Sequence, residues 1–119
     1  MGRSEMKTLA FAAATAFAFS AAAFADTLEN AAGNTVNVTN AEGATVRYHF
    51  DADHSFMMMT PDNQMVHGAW SVADGQICLT PTGGEPGCTD YVGDKNVGDS
   101  WTQRGIDGTQ ITVSVTAGR

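Results

Sequence analysis

The chain is expected to fold as an all-β domain: a small antiparallel meander of about seven or eight short strands, forming a sandwich or a partly closed barrel. Three observations lead there. From Thr35 onward, apolar residues recur at every second position, the period of a half-buried strand. Clusters of Asp, Asn, Gly and Pro interrupt these runs at roughly 8–12-residue spacing. Helix signals are nearly missing after residue 25. Only residues 27–32 can make a helical turn, before Gly33 and Asn34 end it.

Taken in order, Val36 and Val38 open the series. Val46, Tyr48 and Phe50 share one face, with Arg47 and His49 on the other. Phe56 and Met58 alternate with Met57 and Met59. Val66, Trp70 and Val72 lie with Gly68 opposite His67, Ala69 and Ser71, and Ile77 and Leu79 follow. The last run is the cleanest, with Ile111, Val113 and Val115 inward and Thr112, Ser114 and Thr116 outward. Turns are expected at residues 51–53, 61–63, 74–75 and 107–108. Asp-Gly at the last two favours the primed hairpin turns. Residues 82–87 form the one long irregular loop. About fifteen inward apolar residues point to a filled core rather than a wide ligand-holding barrel.

Residues 1–25 are expected to be a secretory signal peptide. Lys7 precedes an uncharged run over residues 9–24, which ends in Ala23-Phe24-Ala25 with small residues at −3 and −1. The run is too short and Ala-rich for a comfortable membrane span. Met6-Lys7-Thr8-Leu9 also makes a more natural start than Met1. Residues 26–119 then form a single β domain, large enough for one modest core, in the periplasm or secreted, with no segment left to insert in a membrane.

Within residues 26–119, four basic residues (Arg47, Lys95, Arg104, Arg119) face twelve acidic ones. That balance argues against nucleic acid and against an anionic membrane surface, and favours cations or basic partners. The two cysteines, Cys78 and Cys88, are expected to bridge in an oxidising compartment. The C-x-x-C spacing of a redox pair is absent.

Gly68-Ala69-Trp70, then Asp74-Gly75-Gln76-Ile77-Cys78-Leu79, then Cys88-Thr89-Asp90-Tyr91 resemble a pattern of small exported β-proteins of alphaproteobacteria. There a G-x-W strand turns through Gly into a Cys-bearing strand. The resemblance covers about 24 residues and implies a fold more than an activity. G-x-W also resembles the lipocalin motif, which sits in the first strand of that family, whereas here it lies mid-chain.

Catalysis finds no pattern. No serine stands in a G-x-S-x-G context, and His54 and Ser55, as strand neighbours, would point to opposite faces. Asp51-x-Asp53-x-Ser55 resembles half a calcium loop but lacks the Gly at its sixth position and the Glu at its twelfth. An ordinary turn is expected instead. The sharpest constellation comes from pairing strands. With Phe50 opposite Phe56 and Met59 opposite Met65, an outward row would read His49, Met57, His67, beside Met59 and Met65. Thioether and imidazole together suit Cu(I) or Ag(I); alternatively these side chains pave a covered apolar surface. The expected function is a non-enzymatic binding or structural module of the cell envelope. Its partner would be an unknown protein or a small ligand, and it needs no cofactor. A soft-metal (copper or silver) binding protein is the alternative and a hydrolase the second alternative.

Overall fold

The computed structural model describes residues 26–119. The leader expected over residues 1–25 lies outside them. One short helix, α1 (Asp26–Ala31), precedes eight strands. These are β1 (Thr35–Thr39), β2 (Thr45–Phe50), β3 (Ser55–Met59), β4 (Met65–Ala73), β5 (Gln76–Pro81), β6 (Gly87–Asp90), β7 (Ser100–Arg104) and β8 (Gln110–Thr116). All pairings are antiparallel, in the order β6-β5-β4-β3-β2-β1-β8-β7. The sheet curls into one nearly closed barrel, so the all-β expectation resolves to the barrel form. Its seam lies between β6 and β7.

Four of the hairpins repeat one piece of backbone chemistry. Asn40, Asp51, Thr60 and Gly105 each bond through N–H to the carbonyl four residues on, and through C=O to the N–H three residues on. The residue three positions on is left-handed in each: Gly43 (φ 90°), His54 (φ 73°), Asn63 (φ 65°) and Gly108 (φ 86°). This is the three-residue hairpin, a type I turn closed by a left-handed bulge residue. The expected primed turn therefore fails at Asp107-Gly108. One Asp107 carboxylate oxygen accepts both the N–H and the hydroxyl of Thr109, which favours the longer turn. Asp74 (φ 54°) and Gly75 (φ 77°) are both left-handed, so the two-residue primed turn holds there.

His54 occupies a conformation costly for a non-glycine residue. Its ring stacks on Trp70 with centroids 4.1 Å apart. Trp70 in turn donates its indole N–H to the Asp51 carbonyl and its backbone N–H to the His54 carbonyl. The turn is thus packed in place by the tryptophan of the G-x-W motif. Asp53 accepts from the N–H and hydroxyl of Ser55. These bonds pull its carboxyl below the usual range, and the expected ordinary turn is what forms.

Helix α1 closes one end of the barrel, and Gly33 (φ 79°) ends it. Thr27 is the anchor: its hydroxyl donates to the Val92 carbonyl and accepts from the Lys95 N–H. Asn30 reaches the Lys95 carbonyl and the Asn96 side chain. Ala31 of the helix packs with Val36, Phe50, Phe56 and Val115 in the buried part of the interior. Phe50 stacks on Tyr48 at 5.4 Å and meets Phe56 and Trp70 at wider angles. Burial raises the Tyr48 phenol above its ordinary pKa.

Beside this packed part the filled core gives way, correcting the sequence expectation. A cavity of about 380 Å³, partly open to solvent, lies between α1, β1, β2 and strands β5 to β8. An eight-stranded ring has an interior just wide enough to be filled by side chains or to hold one small ligand. Here inner positions carry small groups, among them Val36, Val38, Thr89 and Val113, and space remains.

Candidate functional site

Strand alternation makes the cavity wall apolar. Val38 of β1, Tyr48 and Phe50 of β2, Ile77 and Leu79 of β5, Trp101 of β7, and Ile111 and Val113 of β8 all face it. Leu28 and Ala31 of α1 close one end. Asn40, with Gly105, Ile106, Asp107 and Thr109 of a second turn, frames the other. A second recess, of about 530 Å³, lies between α1 and the β2–β3 turn and is walled by few residues, with Leu28, Ala32, Ala52, Trp70 and Val72 as its apolar part. The barrel interior is the better-formed site, because α1 and six of the eight strands wall it, β3 and β4 contributing nothing.

The barrel closes at a seam. Strands β6 and β7 lie side by side without ladder pairing, and side chains join them instead. The Thr89 hydroxyl donates to the Arg104 carbonyl at 2.5 Å. The Gln103 amide N–H donates to the Asp90 carbonyl at 2.9 Å, while its oxygen accepts the Trp101 indole N–H at 2.6 Å. Ile106 lies over Gly87, where a Cβ would come within 2.7 Å of its Cγ2. Glycine at the start of β6 is what lets Ile106 cover the gap. The Cys78–Cys88 disulfide, joining directly paired residues of β5 and β6, holds one lip of the seam.

On the outer surface, the pairing is the one inferred from turn lengths. Phe50 faces Phe56, His49 faces Met57, Met57 faces His67, and Met59 faces Met65. His49, Met57 and His67 therefore form one cross-strand row, with directly opposed side chains at the usual spacing of about 5 Å. Met59 and Met65 form the next row, together with Arg47, whose guanidinium lies 3.7 Å from the Met59 sulfur. His49 is half-buried. Desolvation first, then the positive charge of Arg119, lower its pKa against the opposing pull of Asp51, and Arg47 adds to the lowering. A neutral imidazole, the ligand form, results near neutral pH. Among the described residues, no three His, Cys, Asp or Glu side chains gather into a metal site, so the row depends on its methionine.

His54 and Ser55 do not meet: the imidazole lies on Trp70, and the Ser55 hydroxyl bonds Asp53 at 2.6 Å. Sequence reasoning missed the cavity. No local signal marked it, since the room left inside a ring of eight strands is set by how the strands close. The chain matches no family model, no curated protein and no solved structure. Among the described residues, no helix is long and apolar enough to cross a membrane.

Proposed function

We propose that the chain is an exported binding domain of the cell envelope, cleaved after Ala25, whose site is the barrel interior and whose ligand is a small apolar molecule. The observation that carries this reading is the cavity of about 380 Å³, within the range of roughly 300–1,000 Å³ typical of small-ligand sites. The disulfide accords with an oxidising compartment. Burial of an apolar ligand there is favoured by the same area term that drives folding.

The neutral fluorophore N-phenyl-1-naphthylamine tests it. Its emission should rise on binding to the protein of residues 26–119, with a Kd between about 1 and 100 μM, as expected for a ligand of its size. Val38→Phe, which places a ring in the cavity, should weaken binding at least about tenfold while leaving the β circular dichroism unchanged. Absence of enhancement, or equal binding by the Val38→Phe variant, would sink the reading.

A second reading rests on the register of the outer row. His49, Met57 and His67 would hold one Cu(I) or Ag(I) ion, the thioether supplying the soft donor. Silver titration should then give one ion per chain, lost on Met57→Leu, a change that keeps volume and hydrophobicity. Binding should weaken as pH falls and His49 protonates, with the midpoint below the ordinary imidazole value because its pKa is lowered. Uptake indifferent to Met57→Leu would reduce the row to surface packing.

A further inference from the structure

We infer that the barrel interior takes a cationic amphiphile, its apolar tail running toward α1 and its protonated amine resting at the mouth beside Asp107. This rests on the barrel interior being a ligand site and adds the ligand's class and orientation. Two features of the wall carry it.

The first is that the deep end offers no counter-charge to a charged head, its polar groups being neutral hydroxyls and amides. There the Thr27 hydroxyl already donates to the Val92 carbonyl and accepts from the Lys95 N–H. Midway, the Gln103 amide is used on both sides, by Trp101 and by Asp90. A head group pushed inward would lose its water and find these partners taken, a penalty that burial of a charge makes severe. The tail must therefore lead, against Leu28, Ala31 and Phe50.

The second feature is the sign of the charge. Among the described residues that line the cavity there is no Lys, Arg or His, and the two charged residues are both aspartates, Asp90 and Asp107. Asp90 sits on β6 among its exposed positions, with its carbonyl committed to Gln103. Asp107 belongs to the turn that frames the open end. Its bonds from the Thr109 hydroxyl and N–H hold its carboxyl below the ordinary range, so it stays anionic across the neutral and mildly acidic range. A carboxylate-headed ligand would meet this charge with no cation among the lining residues, Lys95 standing outside them with its ammonium 5.6 Å from the Trp101 ring centre, whereas an ammonium head would be drawn in. The whole chain, at formal charge −7, adds a field of the same sense.

Displacement of N-phenyl-1-naphthylamine by three ten-carbon ligands at pH 7 and low salt decides the matter. Decylamine is protonated and decanoate ionised there. The expected order is decylamine, then decanol, then decanoate, with the amine favoured over the carboxylate by about tenfold or more. Salt at about 0.5 M should compress the series. Asp107→Asn keeps the oxygen that accepts from Thr109 and removes only the charge, so it should bring amine and carboxylate closer together. Amine and carboxylate binding within twofold of each other in the parent protein, or a ratio unmoved by Asp107→Asn, overturns the inference while leaving the binding site standing. Failure of the fluorophore itself to bind overturns the site.

Discussion

Replacing Gly68 by Ala should destabilise the domain by about 3 kcal/mol or more, a large share of the stability of a chain this size. A Cβ at this position would lie 2.3 Å from the Thr80 carbonyl oxygen on β5 and 2.7–2.8 Å from the Phe56 ring. The first neighbour is backbone of a paired strand and cannot move without breaking the β4–β5 ladder. The second is a buried ring in the aromatic cluster. The glycine of the G-x-W motif is therefore a packing requirement: Phe56 lies across the bare backbone, and Trp70, two residues on, braces the His54 turn from the same face. Urea unfolding followed by tryptophan fluorescence checks this. Phe56→Leu in the Gly68→Ala background should recover part of the loss, since it relieves the ring contact and leaves the carbonyl one. Ala69→Val, on the exposed face next door, should change stability by no more than about 0.5 kcal/mol. A Gly68→Ala variant within about 1 kcal/mol of the parent would mean that β5 yields easily, contrary to this account.

The second large effect belongs to the disulfide. Cys78 and Cys88 are separated by 10 positions and stand directly opposite each other, with Cα atoms 4.0 Å apart. Cys78→Ser should lower stability by about 2–4 kcal/mol with strand content largely kept. The loop of residues 82–86 is rich in Gly and exposed, so it supplies little packing to hold β6 when the bridge is gone. β6 is a four-residue strand with ladder partners on one side only, and loosening it should open the seam. The Cys78→Ser protein should accordingly release N-phenyl-1-naphthylamine faster than the parent. A loss below about 1 kcal/mol would show that the seam is held by Thr89, Gln103 and Ile106 instead.

The hairpin register of β2, β3 and β4 was legible because short turns count residues. Once Phe50 faces Phe56, each outward pairing from His49 to His67 follows from period two. The Cys78–Cys88 bridge and the Asp74-Gly75 turn were legible for similarly local reasons. The closure of β1 on β8 was not, because no local signal joins strands so far apart. Nor was the left-handed His54, which depends on a stacked Trp70 sixteen positions away. The metal row was visible as a pairing, but the Arg47 guanidinium lying against the Met59 sulfur was not. The cavity was hidden because interior volume depends on how the whole ring curls, and counting inward residues gives only a poor measure of it.

The joining of β1 to β8 also bears on how fast the chain can fold. Neighbouring strands from β1 to β6, and β7 with β8, are linked by two to five residues, so their contacts are local and form quickly. The β1–β8 ladder is different: Asn37 and Thr116 touch across 79 positions, and closing so long a loop carries an entropic penalty before any contact rewards it. Docking of the β7–β8 hairpin onto a preformed six-strand meander is then the slow event. The start of β1 and the segment after β8 already meet, with Gly118 bonded to Asn34 and Thr35. A chain joined there and reopened between β6 and β7 would run as one uninterrupted meander, with every ladder between sequence neighbours. The same barrel would be reached without its one long-range closure, which makes the present order of strands a determinant of folding speed rather than of the final architecture.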